Sequence, residues 1–593
     1  MNATPATAKT LGLALVLLLA GGAARLATAA GRPATPAAHR TLLTFRTLMS
    51  GEYPATVPLS AYTPTRDASP PTNRFEGTLS LRYSGTLPST VVFTNPAFVS
   101  DANVASARTW PADFSYQFVQ QGGDLIPVRR GVLRSSHAWW ETILEPGRVW
   151  NEPGDHGYSR AAIPFSFQER NANCTHNGVL MFLFRSDGRI SRTALQITGE
   201  TCEYLRLDLW GLLDSNYAPS AVADKDRLVA GFRDEVAARL PTGTLAQLHA
   251  RYPRIDLGQL AIGAGAGRTL YGVVIDGVNY VSGCATRNGD YPYCDVLDLP
   301  SFSTAKSAFA ALALMHLERQ HPGVKDRLIA SLVPECQQPA WRGVTLLNAL
   351  DMATGNYDLN GYEEDEAAPK TNGLFLPDDH QAKITYSCGA YARRAPPGTR
   401  WVYHTSDTYI LGTALNHYFQ SLPGHAHEDV FDDLVVRDLF APLQLSPSSR
   451  VTKRTYDSVA QPFTGWGLTW HRDDVARLGK FLAADHGTLR GAVVLDPALF
   501  EAAMQRTPTA RGLQTVQLRK FRYQHGFWAR NLQEELGCAH QTWVPFMSGF
   551  GGISVVLFPN GIVYYNFADD GRLESFDFLA PALAMRRVAD YCS

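Results

Sequence analysis

Residues 303–318 read STAKSAFAALALMHLE, and this stretch decides how the second half of the chain is read. Its alanines and leucines are strong helix formers, so it predicts a helix from Ser303 to about Glu318. Residues three apart on a helix share a face, which sets the Lys306 amine one turn from the Ser303 hydroxyl. Partial positive charge at the helix N-terminus, together with burial, lowers a lysine pKa. A neutral amine can then take the serine proton and make the hydroxyl a nucleophile. Ser-x-x-Lys is a weak signal alone, but Ser303 and Lys306 form the one such pair in the chain.

The surroundings of this helix predict a mixed α/β fold. Upstream, 270–275 (LYGVVI) and 278–281 (VNYV) flank Asp276-Gly277 and read as a hairpin. Downstream, 553–558 (ISVVLF) and 562–567 (IVYYNF) flank Asn560-Gly561, a stronger hairpin signal. A last helix is expected over about 575–589. Strands therefore open and close this half and helices fill its middle, giving an antiparallel sheet flanked by helices. Residues 45–212 are strand-like, as in 78–83 (TLSLRY) and 179–184 (VLMFLF), and predict an N-terminal antiparallel β-rich domain. Trp139, Trp140 and Trp150 could stack sugars there, but such rings are more often core. Residues 224–240 have helical spacing and either join the halves or open the second.

The chain has 593 residues, 45% hydrophobic and 18% charged. Disordered and acidic-tail proteins are excluded, since such chains lack the apolar surface to fold. With 54 basic against 55 acidic residues the net charge is -1. No long-range field favours nucleic acid, and none is expected as a partner. Lys9, an apolar run over 11–20 and Ala27-Thr28-Ala29 have the form of a cleaved export signal. The run is too short to span a bilayer and Arg25 interrupts it. The expected organisation is a signal at 1–29, a Pro/Ala/Thr-rich linker at 30–44, a β-rich accessory domain at 45–225 and a catalytic domain at 226–593. The expected location is secreted or periplasmic, with no stable membrane span after cleavage.

Eight cysteines fit an oxidising compartment: Cys174, Cys202, Cys284, Cys294, Cys336, Cys388, Cys538 and Cys592. None forms C-x-x-C. Eight allow 105 pairings, of which the simplest joins sequence neighbours: 174–202, 284–294, 336–388 and 538–592.

From about residue 265 onward the chain resembles the serine β-lactamase and penicillin-binding superfamily, in its class C and esterase-like branch. VTLLNALDMATG (344–355) is similar to that family's TIRHLLTHTSG helix, and PPGTRWVYHT (396–405) to its PPG-x-x-F-x-Y-S-N segment. Ile410-Leu411-Gly412 resembles its LLG. GWGLT (465–469) with DDVARLG (473–479) resembles GGL-x-S-T-x-x-D-L-A-R-F, and FMSGFGG (546–552) stands at its third motif. The pieces follow one another in the family's order, which is what makes them specific. The resemblance implies that Ser303 is acylated, that Lys306 is its base, and that Tyr403 shares proton transfer and activates the deacylating water. It also implies an oxyanion hole from the N–H groups of Ser303 and Phe550, with Thr405, Ser548 and Gly549 beside the substrate.

Two positions depart from the family. Thr405 replaces the asparagine of the second motif. Met547-Ser548-Gly549 replaces Lys-Thr-Gly, and a thioether cannot pair with a substrate carboxylate. The departure points away from β-lactams toward esterases and amidases such as the 6-aminohexanoate-dimer hydrolases. Arg472 or Arg530 could supply the missing cation from elsewhere. Three further patterns read as structural. His425-Ala426-His427-Glu428-Asp429 lacks the rest of a zinc site. Glu363-Glu364-Asp365-Glu366 reads as a solvated acidic loop. The glycine-rich 263–267 has Arg268 where a dinucleotide fingerprint needs glycine, and reads as a flexible approach to the second domain.

The expected protein is therefore an exported serine hydrolase that cleaves a small-molecule or peptide ester or amide through an acyl-enzyme, with no metal or cofactor. The alternative is an inactive binding or cell-envelope protein on the same scaffold.

Overall fold

The computed structural model describes residues 39–261, 268–286, 288–367, 369–515, 519–568 and 575–592. The expected signal at 1–29, linker residues 30–38 and the whole glycine-rich 263–267 approach lie outside these.

The N-terminal strands pair antiparallel and close on themselves. The ring runs Glu76–Arg82, Ser115–Gln121, Asp124–Pro127, Gly147–Trp150, Ser159–Glu169, Thr175–Phe184, Thr193–Thr201 and Leu205–Pro219, and returns to Glu76–Arg82. The 15-residue strand Leu205–Pro219 makes closure possible, because its far end reaches Glu76–Arg82 while its near end carries the edge strand Ser89–Thr94. Closure removes the unpaired edges that an open sheet would expose.

The strands Ser159–Glu169 and Thr175–Phe184 are buried along their whole length. Alternation explains how. Leu180, Phe182 and Phe184 fill the barrel interior with Phe165, Phe167 and Trp140. Val179, Met181 and Leu183 face outward, into the same apolar core as the helices of the second half. The barrel wall is thus sandwiched. Trp140 and Trp150 are core residues, while Trp139 lies at the edge of a pocket described below. Helix Lys225–Ala238 packs Val229 onto Val119 and Ile126 of the barrel, so it turns back onto the first half.

The second half carries a nine-stranded sheet in the order Thr242–Thr244, Val278–Val281, Arg268–Ile275, Val563–Ala568, Ile553–Leu557, Trp543–Gly549, Phe527–Asn531, Phe521–Gln524, Leu513–Gln514. Its one parallel pairing is at the Thr242–Thr244 edge. Both expected hairpins form. Asp276 and Gly277 have φ of 51° and 75°, the conformation a two-residue turn between twisted strands requires. The final helix, Leu579–Arg586, is shorter than expected at both ends. The buried helix Thr405–Ser421 runs through the middle of the helical layer. Among the described residues no helix is long and apolar enough to cross a membrane.

Polar bonds lock the halves together beside the Ser303 helix. Ser166 Oγ donates to Asp298 Oδ2 at 2.8 Å, and Asn177 exchanges hydrogen bonds with the Asp298 backbone. Lys453 pairs with Glu141 across the junction, both buried. Leaving either member of such a pair without its partner costs about 3–5 kcal/mol.

The cysteines pair as sequence neighbours: 174–202, 284–294, 336–388 and 538–592. Cys174–Cys202 closes a loop of 28 residues. Loop-closure entropy gives such a link about 3–4 kcal/mol. Replacing both cysteines by serine is expected to lower the denaturation midpoint accordingly, and non-reducing peptide mapping should recover the four neighbour pairs. Free thiols throughout would refute the pairing.

Candidate active site

Ser303 follows a chain segment held rigidly. Ser301 N donates to Leu468 O at 3.0 Å and Ser301 Oγ accepts from Leu468 N at 3.1 Å. Phe302 takes a φ of 39°, rare for a bulky residue and found where surrounding structure imposes it. The helix then begins, with a π-helical stretch at Lys306–Ala311. Widened turns of this kind recur at functional sites. Gly526, at φ 83°, lies against it. A Cβ there would meet the Ala311 side chain at 2.8 Å, and Gly526 O accepts from Ser307 Oγ at 2.6 Å.

Lys306 is buried, with Nζ 2.8 Å from Ser303 Oγ, 3.0 Å from Thr405 Oγ1 and 3.3 Å from Gly465 O. Burial pulls the amine down to about 8, against the opposing pull of the Glu366 and Glu363 carboxylates. A neutral amine has two N–H bonds and one lone pair. The Gly465 carbonyl can only accept. Thr405 is constrained too: its hydroxyl donates to Glu366 Oε2 at 2.7 Å and its backbone N–H to Glu366 Oε1 at 2.6 Å. Its oxygen is thereby left to accept from Lys306. With both N–H bonds so directed, the remaining lone pair faces Ser303 Oγ.

Tyr403 is buried with its ring centroid 5.0 Å from Lys306 Nζ. Burial pushes its hydroxyl well above the usual phenol range, and a hydrogen bond with Ser303 draws it partly back. The backbone N–H groups of Ser303 and Phe550 have no backbone partner among the described residues. Gly549 lets its strand approach the Ser303 segment, since a Cβ there would come within 3.0 Å of Ser301 O. Strand alternation sends Met547 into the core and Ser548 toward the cavity, where its hydroxyl shares a 2.6 Å hydrogen bond with Ser575. Thus Ser303, Lys306, Tyr403, Thr405, Ser548, Gly549 and Phe550 come together, and all but Lys306 line one cavity of about 650 Å³. Arg472 pairs with Asp295 and Arg530 donates to Phe576 O, and neither lines it.

The acidic run is only partly solvated: Glu363 and Glu364 are exposed, but Asp365 is buried and Glu366 half-buried. Asp365 is fully buried and accepts from the N–H groups of Asp358 and Leu359, from Lys370, and from His404 at 3.0 Å. Tyr391 stacks on the His404 ring at 4.2 Å. These bonds carry Glu366 to Thr405. Sequence reasoning missed Glu366 because its partner is 39 residues away, and a run of acids resembles any solvated face. The other acidic decoy is satisfied locally: His425 bonds Glu428, and Asp429 caps the following helix and pairs with Arg454.

Among the described residues, Glu145, Asp298 and His471 form the one cluster spaced like metal ligands. Arg130 already occupies Glu145 at 2.6 Å. Burial disfavours a charged His471 ring, but the Glu145 and Asp298 carboxylates outweigh it and raise the ring, favouring the imidazolium that would neutralise them.

The Asp365–His404 pair sets a stability window. His404 is raised from 6.5 to about 9, so its contribution is full below 6.5 and lost as pH rises through about 9. Asp365 is lowered from 3.8, so its contribution is lost on acidification below that value. Asp365→Ala is expected to destabilise the protein by about 3–5 kcal/mol. The loss should be largest between about pH 4 and 6.5 and shrink as pH rises through about 9, in denaturation at several pH values. A pH-independent loss would contradict the pairing.

Residues 299–565 match a family model described as Beta-lactamase. No curated protein matches the chain. Among solved structures, a Bacillus anthracis protein assigned as a 6-aminohexanoate-dimer hydrolase aligns at 16% identity and a TM-score of 0.43, covering 60% of this chain and 87% of that one. A penicillin-binding protein homologue from Caulobacter crescentus aligns at 17% identity and 0.41, covering 56% and 96%. EstCE1, a hydrolase with promiscuous acyltransferase activity, aligns at 17% and 0.42, covering 57% and 98%.

Proposed function

We propose, from the match of residues 299–565 to the Beta-lactamase family model and the geometry beside Ser303, that the protein is an exported serine hydrolase cleaving esters or amides through an acyl-enzyme on Ser303. The observation that carries this reading is one contact: Lys306 Nζ lies 2.8 Å from Ser303 Oγ, with Thr405 Oγ1 and Gly465 O placed to take the N–H bonds of the neutral amine. The Ser303 proton passes to that lone pair as Oγ attacks the carbonyl carbon. The N–H groups of Ser303 and Phe550 receive the oxyanion. On collapse the carbonyl re-forms, and the leaving group departs with a proton returned from Lys306 by way of the neighbouring Tyr403 hydroxyl. Water then adds to the acyl carbon, giving its proton to the same pair of groups, and Ser303 is released. Four disulfides support an oxidising, exported setting.

Ser303→Ala is expected to abolish labelling by a fluorophosphonate and turnover of p-nitrophenyl butyrate while leaving the thermal midpoint in place. Lys306→Arg should lose at least about 10²-fold, because a guanidinium cannot give up its proton. Retained activity in either variant would reject the mechanism.

The base must be neutral, so kcat/KM should rise with pH and level off above about 8. Glu366 raises the amine, so Glu366→Gln should move that limb to lower pH, and kcat should fall as Thr405 loses its fixed direction. A limb that stays put or moves upward would show that Glu366 has no hold on the base.

Carboxylates at Glu203, Glu363 and Glu366 line the cavity, and the lining Arg170 is engaged by Asp378 at 3.0 Å. Among the described residues Arg170 is the only lining cation and is already shared with Asp378, so a substrate carboxylate meets no unshared cation in place of the family's third-motif lysine. A charge-assisted hydrogen bond is worth about 1.5–3 kcal/mol, so its loss slows acylation by roughly one to two orders of magnitude. Neutral p-nitrophenyl esters should therefore exceed nitrocefin in kcat/KM on one preparation. The reverse order would overturn this assignment of substrate charge.

A further inference from the structure

We infer that the N-terminal barrel is the substrate-recognition half of the catalytic site, and that it binds an extended apolar or aryl group attached to the scissile ester or amide. The inference rests on the serine-hydrolase reading above and says what that site accepts.

The cavity beside Ser303 is lined by the barrel as well as by the catalytic half. Phe98, Trp139 and Tyr204 enter it from the barrel, and Phe302 and Phe550 face them. Four of these rings, Phe98, Tyr204, Phe302 and Phe550, form one continuous cluster. Phe98 stacks on Tyr204 at 5.4 Å and meets Phe550 at 5.8 Å, Tyr204 lies 6.1 Å from Phe550, and Phe302 lies 5.7 Å from Phe550. Phe98 is 44% exposed and Phe550 36%. Contiguous open aromatic surface of this kind marks a ligand site when it borders a pocket. Its position fixes which part of the substrate it meets. Phe302 precedes the nucleophile, and Phe550 carries the proposed oxyanion N–H on its own backbone. A substituent leaving the scissile carbonyl on this side must run across the ring cluster. A cavity of about 650 Å³ bordered by these rings favours an extended group over a compact one.

The wall is rigid, as a specificity surface must be. Cys174–Cys202 joins two barrel segments directly next to the lining residues Asn173 and Glu203. Trp466 Nε1 donates to Asn171 O at 2.8 Å and Gly467 N to Asn173 Oδ1 at 2.6 Å, tying the barrel rim to the strand segment whose Gly465 carbonyl holds Lys306.

The test is a pair of fluorophosphonates, one with an ethyl and one with a decyl chain, applied to the full chain and to Phe98→Ala. Labelling rates at Ser303 are followed by mass spectrometry. The wild type is expected to prefer the decyl probe by about tenfold or more, as apolar contacts accumulate along the chain. Phe98→Ala should bring the decyl-to-ethyl ratio down by several-fold. Equal rates in the wild type, or a preference unmoved in Phe98→Ala, would overturn the inference while leaving the serine mechanism intact. Labelling by neither probe would overturn the mechanism and this inference with it.

Discussion

A buried amine with a directed lone pair is the constraint around which the second half is arranged. Lys306 has no solvent to satisfy it, so every N–H bond must be matched by protein. The π-helical turn sets its stem, Gly526 allows a neighbouring strand to close over that turn, and Gly465 supplies a carbonyl. The remaining acceptor is Thr405, whose orientation depends on Glu366, whose position depends on the buried Asp365–His404 pair. These supports are buried, except Glu366, which is half-buried at the cavity wall. The proton-transfer geometry is therefore as stable as the fold, and does not rest on a mobile surface loop.

The barrel is part of the same arrangement. Its strands Ser159–Glu169 and Thr175–Phe184 contribute one face to the barrel interior and the other to the core shared with the helices. Removing the barrel would strip the outer face of Val179, Met181 and Leu183 from that core, and would take Ser166 and Asn177 from Asp298 and Glu145 from His471. At about 1.5–3 kcal/mol for each buried apolar side chain, such a loss is comparable to the stability of an ordinary domain. The two halves share one apolar core, and residues of both line the cavity.

Much of this was legible in the sequence, and the boundary of legibility has a physical form. Ser303, Lys306, Tyr403, Thr405, Ser548, Gly549 and Phe550 were readable because each sits in a short local pattern, and local patterns fix local geometry. Both hairpins followed from Asp276-Gly277 and Asn560-Gly561, whose turn chemistry is equally local. The neighbour pairing of the cysteines was the simplest available. What escaped was long-range. Glu366 looked like one of several solvated acids, because nothing near it in the chain announces Thr405. Barrel closure depends on the register between Glu76–Arg82 and Leu205–Pro219, more than a hundred residues apart. Tyr204 and Phe98 carry no motif, and only the folded chain brings them to Phe550.

The exchange of asparagine for threonine at position 405 can now be given a physical account. An asparagine side chain offers both donors and an acceptor, so it can orient a lysine amine without help. A threonine offers one donor and must dispose of it elsewhere before its oxygen is reliably an acceptor. Glu366 takes that hydrogen. The substitution thus brings a carboxylate into the site as its condition, and the carboxylate has two effects of opposite sign. It raises the amine against burial, so the base titrates at about 8 rather than lower. It also sets a negative charge beside a base that is neutral when it works. Two unit charges about 6 Å apart at an effective dielectric near 20 repel by on the order of 2–3 kcal/mol. Loss of the third-motif cation therefore accompanies a gain of negative charge at the second motif. Under the proposed function the two departures act in one direction, against anionic substrates and toward neutral ones, the direction in which the proposed aromatic wall of the barrel would also select.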